Sequence, residues 1–308
     1  MGQNSITCDT KTIQKMKEYY NTYLENTPPY AVFRAKTQQA AITAYQSGKV
    51  LFQGAKAAEE AQKWGGDTHA NSKKKAAKPT HEKQPPSTLF QANHIGSDES
   101  GTGDYFGPIT NCAVFVKHEQ MALLKEIGVQ DSKTLTDEKI KELATYLVEM
   151  ELPYSLIVLK NEKYNELQSK KWTQGKMKAM LHDACIKNVQ AKIQQEESSG
   201  ILIDQFCMPH VYEKHLASEG RKLDPHTYFM TKAENHSLAV AAGSIIARAS
   251  FVQEMERLSD MAGMPLLKGA SGKVDIQIAK IIRSKGEAFL SSIAKIHFAN
   301  TKKAKNLL

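Results

Sequence analysis

The stretch IGSDESGTGDYFGP occupies residues 95–108 and lies between two apolar segments whose composition predicts adjacent β-strands. Two acidic residues, Asp98 and Glu99, stand together where the first of these strands ends. Carboxylates at such close range repel each other unless a cation compensates their charge. The glycine-rich turn that follows them, with Gly101, Gly103 and Gly107, makes this stretch a candidate site as well as a strand connection.

Two more acids occupy comparable positions further along the chain. The aliphatic run 201–203 leads into Asp204, and Glu234 lies just ahead of a long apolar helix predicted from residue 237. If these segments meet at Asp98 and Glu99, four carboxylates converge, and hard divalent cations such as Mg²⁺ or Mn²⁺ suit such a pocket. Two such ions activate a water molecule and stabilise a leaving oxygen in phosphoryl transfer.

Each acid also has a simpler explanation. Glu234 complements the positive end of the helix that follows it, Asp204 caps a turn, and the pair Asp98 and Glu99 is solvated. Taken singly, the acids fit these explanations better than a metal site. Taken together, and beside a glycine-rich turn, they make metal-dependent phosphoryl transfer an alternative of comparable standing.

The segments around these acids alternate between strands and helices. Strands are predicted at residues 94–98, 109–117, 154–160 and 201–204, and helices at 119–127, 136–150, 176–195, 237–258, 276–285 and 287–295. This order predicts an α/β domain, in which helices flank a mixed sheet.

The first 65 residues predict a small α+β module. Helices are expected at 10–24 and 55–64, and strands at 30–36, 40–45 and 49–53. Arg34, Lys36 and Lys49 lie on or beside these strands, so the module is either an ordinary cap domain or an auxiliary nucleic-acid-binding surface. Residues 66–88 are rich in Gly, Pro, Ser and Lys and predict a flexible linker, which leaves residues 89–308 for the larger domain.

Composition and charge narrow the function classes. The chain has 308 residues, 41% of them hydrophobic, and a net charge of +8, which favours a polyanionic partner such as nucleic acid. No long apolar run predicts a membrane span, and the first residues lack the apolar core of a secretory signal. The four cysteines are far apart, so a reducing cytoplasm fits better than a disulfide framework or a zinc knuckle.

Three familiar motifs fail on inspection. The glycines of GTGDYFG lack the sixth-position glycine of a dinucleotide-binding fingerprint, where Phe106 stands. Gly272 and Lys273 resemble the end of a P-loop, but Val274 follows in place of Ser or Thr. No G-x-S-x-G segment positions a nucleophilic serine.

Several long segments resemble the ribonuclease H type 2 superfamily, and within it the bacterial ribonuclease HIII family. They are SDESGTGDYFGP at 97–108, DSKTLT at 131–136, ILIDQF at 201–206, TKAENHSLAVAAGSIIARASF at 231–251 and HFANTKKA at 297–304. SGKVLFQGAKAAEEAQKW at 47–64 resembles that family's N-terminal TBP-like domain. The resemblance therefore covers nearly the whole chain except the linker.

The resemblance implies an RNase H-like fold and endonucleolytic cleavage of the RNA strand in RNA–DNA hybrids. It implies two Mg²⁺ or Mn²⁺ ions and products with 3′-hydroxyl and 5′-phosphate ends. The catalytic, metal-binding carboxylates of the family fall on Asp98, Glu99, Asp204 and Glu234. Glutamate at the fourth position is typical of type HIII, whereas type HII usually has aspartate.

Substrate-binding residues are also implied. The family's substrate-sensing loop falls on the segment Ser100, Gly101, Thr102 and Gly103, and Lys133 of the DSK block is either a phosphate contact or a surface lysine. Type HII usually has arginine where Thr102 stands, which argues against a strict preference for single embedded ribonucleotides. An HII-like junction nuclease and a non-catalytic nucleic-acid-binding protein remain alternatives. We expect a cytoplasmic monomer with no membrane partner and no small-molecule cofactor.

Overall fold

The structure, a computed structural model, describes residues 3–28, 31–65, 81–193 and 198–308. The chain divides into two compact units, Met1–Thr80 and His81–Leu308. Within the described residues, no helix combines the length and the hydropathy needed to span a membrane.

The first unit is an antiparallel sheet with helices on one face. Its strands are β1 (Gln3–Thr7), β2 (Leu24–Glu25), β3 (Ala31–Lys36), β4 (Ala41–Tyr45) and β5 (Lys49–Gln53), in the order β1-β5-β4-β3-β2. Its helices are α1 (Thr10–Tyr19) and α2 (Ala57–Gln62). The predicted helix 10–24 is too long, because the backbone leaves helical geometry at Tyr20 and continues into a 3₁₀ turn and β2. Strand β1 was not predicted.

The core of the first unit follows from strand alternation. Every second side chain of β3, β4 and β5 points to the same face, and on that face Phe33, Ile42 and Phe52 are buried against Met16 of α1 and Ala61 of α2. The basic residues of these strands therefore lie on the opposite face, away from the helices.

The second unit contains the predicted mixed sheet. Its strands are β6 (His94–Ser100), β7 (Ile109–Val116), β8 (Tyr154–Leu159), β9 (Ile201–Asp204) and β10 (Thr227–Met230), in the order β10-β9-β6-β7-β8. Strands β10, β9 and β6 run parallel, while β7 pairs antiparallel with both β6 and β8. The carboxyl ends of β6 and β9, two neighbouring inner strands, therefore lie side by side at the same end of the sheet.

Helices cover both faces of this sheet. They are α3 (Met121–Glu126), α4 (Asp137–Glu149), α5 (Asn161–Ser169), α6 (Gln174–Ile193), α7 (Pro209–Ala217), α8 (Leu238–Ala262), α9 (Gly272–Ile293) and α10 (Ala299–Lys305). Helix α8 packs with α4 on one face and α6 packs on the other. The two helices predicted at 276–295 are the halves of α9, which breaks at Gly286 with φ 83°. Elements α5, α7, β10 and α10 were not predicted.

The predicted linker is longer than the structure allows. Residues 66–80 lie outside the described residues, but residues 81–88 belong to the second unit. The carbonyl of Lys83 accepts a hydrogen bond from Phe229 N of β10 at 2.9 Å, and Leu89 is buried. This segment covers the outer edge of the sheet, where unpaired backbone groups need partners.

Helix α8 approaches β6 so closely that residue 96 must be glycine. A Cβ atom on Gly96 would lie 2.1 Å from the backbone nitrogen of Val240 and 2.3 Å from the carbonyl carbon of Ala239. Further along α8, a Cβ atom on Gly243 would lie 3.0 Å from the carbonyl oxygen of Cys112 in β7. Helix and sheet are thus in backbone contact near the end of β6.

We expect Gly96→Ala to lower the free energy of unfolding by about 3 kcal/mol, because the methyl group overpacks against backbone that cannot rotate away. Urea denaturation measures the change. Gly272→Ala is the control, because a Cβ atom at Gly272 meets no atom of the described chain within 4 Å. A Gly96→Ala protein as stable as the wild type would contradict this account of the packing.

Candidate active site

The adjacent acids Asp98 and Glu99 point to opposite faces of the sheet. Successive side chains of a strand alternate, so Asp98 faces α8 and Glu99 faces α6. The structure brings Asp98, Glu99 and Asp204 within electrostatic range of one another, but it gives the two neighbours different surroundings.

Asp98 is buried beneath α8. Its Oδ1 accepts a hydrogen bond from the backbone N–H of Glu99 at 2.7 Å, and Ser244 of α8 also hydrogen-bonds to the carboxyl group. Burial raises the pKa of Asp98 well above its usual value, and the charges of Glu99 and Asp204 raise it further. The ionised form of Asp98 is therefore disfavoured by burial and by the neighbouring acids.

Asp204 ends strand β9 beside Asp98. Its Oδ1 accepts a hydrogen bond from the backbone N–H of Ala233 at 3.0 Å, which ties β9 to the turn that carries Glu234. Burial raises the pKa of Asp204, with a further contribution from Glu234 and Glu99, although the bond from Ala233 opposes it. Asp204 does not simply cap its own turn, because its partner lies 29 residues away.

Glu234 lies on a 3₁₀ turn, Ala233–Asn235, just ahead of α8. Its Oε1 accepts a hydrogen bond from Lys133 Nζ at 3.1 Å, and its Oε2 is buried with no hydrogen-bond partner among the described residues. A buried carboxylate oxygen that lacks a donor is costly. The orphaned oxygen, next to Asp204, is the kind of ligand atom that a cation satisfies.

Glu99 is held by two residues of α6 that sequence analysis did not select. Lys178 Nζ forms an ion pair with Oε1, and His182 Nε2 lies 2.8 Å from Oε2. An ionised carboxylate only accepts hydrogen bonds, so Nε2 carries a proton. Burial alone would raise the pKa of Glu99, but His182 and Lys178 together hold that pKa below its usual value.

The partners of Glu99 are themselves fixed by packing. His182 is fully buried, its Nδ1 lies 2.8 Å from Ser97 Oγ, and its ring stacks on Phe206 with centroids 5.3 Å apart. The ammonium of Lys178 lies 4.0 Å from the centroid of the same Phe206 ring. Residues 178 and 182 are one helical turn apart, which was the available signal that they share a face.

The four acids fit a hard divalent cation by their chemistry. All their donor atoms are oxygens, which Mg²⁺ and Mn²⁺ prefer, and the raised pKa of Asp98 and the orphaned Oε2 of Glu234 mark a deficit of positive charge. In their present positions, no three His, Cys, Asp or Glu side chains of the described part of the chain form a group that could hold a metal ion. Glu99 and Glu234 are instead engaged by lysines.

The DSK block forms a 3₁₀ turn, Ser132–Thr134, beside the acids. Asp131 caps it by accepting from Lys133 N at 2.9 Å, and Ser132 Oγ lies 2.9 Å from Ser244 Oγ of α8. The side chain of Lys133 therefore projects over Glu234 while remaining 69% exposed. It is available to a second anionic partner.

The loop after β6 divides into a packed part and an open part. Ser100 pairs with Thr110 at the end of the strand, and Gly101 has φ 86° and lies against Phe251 of α8. A Cβ atom on Gly101 would lie 2.3 Å from a backbone oxygen, whereas one on Gly103 would meet nothing within 4 Å. Thr102 is half-buried and Gly103 exposed, so this tip faces solvent.

Comparison with known proteins supports the resemblance found in the sequence. The family model described as Ribonuclease HII matches residues 95–301, and a model described as a domain of unknown function, DUF3378, matches residues 3–79. Ribonuclease HIII of Oceanobacillus iheyensis is 55% identical over 308 residues and covers 100% of both chains. A ribonuclease HIII of Bacillus cereus is 48% identical, with 99% of each chain covered.

Solved structures agree with these relatives. Bst-RNase HIII, solved in complex with Mn²⁺, has a TM-score of 0.69 and 39% identity, with 99% of each chain covered. Aquifex aeolicus RNase H3, at 22% identity, has a TM-score of 0.56 with 95% of this chain and 99% of that chain covered, and it supports the fold alone. The full-length identity to named relatives and the family-model match over residues 95–301 lead to one conclusion: this chain belongs to the ribonuclease HII family, and within it to the ribonuclease HIII group.

Proposed function

We propose that this chain is an endoribonuclease that cleaves the RNA strand of RNA–DNA hybrids with the help of divalent cations. The observation that carries the proposal is the pair Asp98 and Asp204 at the carboxyl ends of two parallel strands, both buried and both with raised pKa. Such an excess of buried negative charge requires a cation for both groups to stay ionised. The ribonuclease HIII names of the relatives support the choice of reaction.

Asp98, Glu99, Asp204 and Glu234 are the proposed metal ligands. Mg²⁺ and Mn²⁺ are the candidate ions, which the Mn²⁺ complex of Bst-RNase HIII supports. A divalent cation bound there supplies a lowered pKa for an attacking water and charge stabilisation for the leaving oxygen. The chain itself must supply the placement of these oxygens, because Asp98 and Glu234 are too buried to be solvated.

The remaining groups of the site orient the hybrid. Lys133, exposed above Glu234, contacts a phosphate of the bound strand. The open tip at Thr102 and Gly103 approaches the minor groove, where the ribose 2′-hydroxyl distinguishes RNA from DNA. Water attacks phosphorus and the bond to the 3′ oxygen breaks, which leaves a 3′-hydroxyl and a 5′-phosphate.

In this proposal, the first unit helps to bind the RNA–DNA hybrid. Arg34, Lys36 and Lys49 lie on the face of its sheet opposite the helices. A basic sheet face of this kind tracks a phosphate backbone without reading sequence. Its likeness to a TBP-like domain stays a prediction from the sequence.

The proposal includes a cytoplasmic monomer that needs no small-molecule cofactor. All four cysteines, Cys8, Cys112, Cys185 and Cys207, are free thiols, which suits a reducing compartment. Light scattering on the purified chain measures its oligomeric state.

We expect Asp98→Asn and Asp204→Asn each to lower kcat/KM on a uniform RNA–DNA hybrid by about 10³-fold or more, because several kcal/mol of transition-state stabilisation are lost with the cation. The measurement is cleavage of a labelled hybrid in Mg²⁺ and in Mn²⁺, with EDTA as a blank. Asp260→Asn, an exposed acid near the end of α8, is the control. Near-normal turnover of either site variant would refute the metal assignment.

The same assay separates the alternatives left open by the sequence. A non-catalytic nucleic-acid-binding protein would show no EDTA-sensitive cleavage. An HII-like junction nuclease would cut a DNA duplex with one embedded ribonucleotide as well as the uniform hybrid in Mg²⁺.

In EDTA at pH 8, we expect Asp98→Asn to melt a few degrees above the wild type. The pKa of Asp98 is higher in the folded protein than in the unfolded chain. The contribution of this carboxyl group to the free energy of unfolding is therefore present at low pH and is lost as pH rises through the folded-state pKa. Asparagine still accepts from Glu99 N but carries no charge. The advantage should therefore shrink toward pH 4, as measured by thermal melts across pH, and a variant less stable than the wild type at pH 8 would contradict it.

Replacing Arg34, Lys36 and Lys49 together by Gln should weaken hybrid binding. The slope of log K against the logarithm of the salt concentration should become less negative by about 3, one for each lost phosphate contact. Fluorescence anisotropy across salt concentrations measures both. The charge-matched control replaces Lys11, Lys15 and Lys56, which are exposed on the helical side. Equal losses in the two triple variants would reject a specific role for the sheet face.

A further inference from the structure

Lys295 holds the loop between β6 and β7 from behind. It follows the end of α9, and its Nζ donates hydrogen bonds to the carbonyls of Asp104 at 2.8 Å and Gly107 at 2.5 Å. Its backbone N–H donates to Tyr105 O at 2.9 Å. Asn161 Nδ2 donates to the same Gly107 carbonyl at 2.8 Å. Side chains from distant parts of the chain thus donate hydrogen bonds to the carbonyls on one side of the loop.

Gln174, the first residue of α6, holds the tip of the same loop. Its Nε2 donates to the carbonyl of Thr102 at 3.0 Å and lies 3.2 Å from the hydroxyl oxygen of Tyr164, which is buried. The carbonyls of Thr102, Asp104 and Gly107 are therefore all turned toward the protein. This arrangement fixes the direction of the peptide planes between them.

The position of Lys295 is costly for the fold. The residue is fully buried, and burial lowers the pKa of its ammonium to about 7, although Asp104 opposes this. An apolar side chain would fill the space without the cost of desolvating an amine. The hydrogen bonds that this buried lysine donates all go to one loop, which indicates that the path of that loop matters.

The N–H and C=O of one peptide unit point in opposite directions, so the inward carbonyl of Thr102 leaves the N–H of Gly103 facing out. Among the described residues, the N–H groups of Thr102 and Gly103 donate to no protein acceptor, while the carbonyl of Thr102 is engaged. Thr102 is half-buried and Gly103 exposed, so these donors meet solvent. Outward N–H donors suit acceptor oxygens such as those of a ribose hydroxyl or a phosphate.

We propose that Lys295, together with Gln174, is a positioning residue that holds the loop 101–107 so that its outward N–H groups recognise the RNA strand. The inference rests on the proposed function. Neither residue touches the reacting phosphate, and both act through the carbonyls that they bind.

The test compares Lys295→Met and Gln174→Leu in the full chain. Fluorescence anisotropy in EDTA gives the dissociation constants for an RNA–DNA hybrid and for a DNA duplex of the same sequence. Hydrogen exchange reports the loop amides, and calorimetry reports Mn²⁺ binding. Lys302→Met and Gln253→Leu, both at exposed positions, are the matched controls.

We expect both variants to bind the hybrid about three- to tenfold more weakly while their affinity for the DNA duplex changes less than about twofold. Loop amides should exchange faster, and Mn²⁺ should bind with unchanged stoichiometry. General misfolding would weaken both duplexes alike and reduce the Mn²⁺ stoichiometry, so it would not produce this pattern.

An unchanged ratio of the two dissociation constants in Lys295→Met overturns the inference, as does an equal loss on both duplexes. If Lys295→Met does not fold, Gln174→Leu decides by the same criteria, because Gln174 is only half-buried. Failure of the proposed function is a different result: the wild-type chain would then not cleave the hybrid at all.

Discussion

The backbone contact between helix α8 and strand β6 is the constraint on which the candidate site depends. Gly96 and Gly243 let the helix lie directly on the sheet. That distance brings Ser244 to Asp98, and the turn that carries Glu234 immediately precedes the helix. Close packing of the α8 backbone on the β6 backbone thus brings the acids together. The apolar contact around this point is extensive, and its stabilisation offsets the repulsion between the carboxylates.

The counter-charges in the site are distributed unevenly. Glu99 and Glu234 each have a lysine partner, whereas within the described part of the chain Asp98 and Asp204 have only backbone and hydroxyl donors. Lys133 is mostly exposed, so its attraction to Glu234 is screened by water and easily exchanged. The ion pair of Lys178 with Glu99 is buried beside a histidine and is harder to separate. Uncompensated negative charge is therefore concentrated on Asp98 and Asp204, at the carboxyl ends of β6 and β9.

Much of the fold could be predicted from the sequence, and so could the four acids that the structure places near one another. Apolar alternation and helical periodicity located β6, β9 and α8, and a carboxylate after each apolar run is a local signal. The opposite orientation of Asp98 and Glu99 was also readable, because strand side chains alternate. Lys178 and His182 were not found, since α6 is buried on nearly every side and its sequence does not show which part faces the sheet.

Other features depend on contacts that no local pattern encodes. The sequence places Lys295 at the end of a predicted helix, but the chain leaves α9 at Ile293 and bridges back to Phe106, which buries the lysine. Strand β10 and helix α7 are short, so their few apolar residues do not form a recognisable period in the sequence. These residues are buried only through contacts with neighbouring elements of the fold. Tertiary packing, rather than propensity, selects these elements.

The glycines of the loop 101–107 show how the acids and the loop tip are coupled. Gly101 is required by its positive φ and by contact with Phe251, so the base of the loop is part of the packing of α8. Ser244 reaches Asp98 from the same helix, seven residues earlier. Two turns of helix, about 10 Å, therefore set the spacing between the acids and the loop. Because one rigid element fixes both, the loop tip and the proposed metal ligands keep a constant separation.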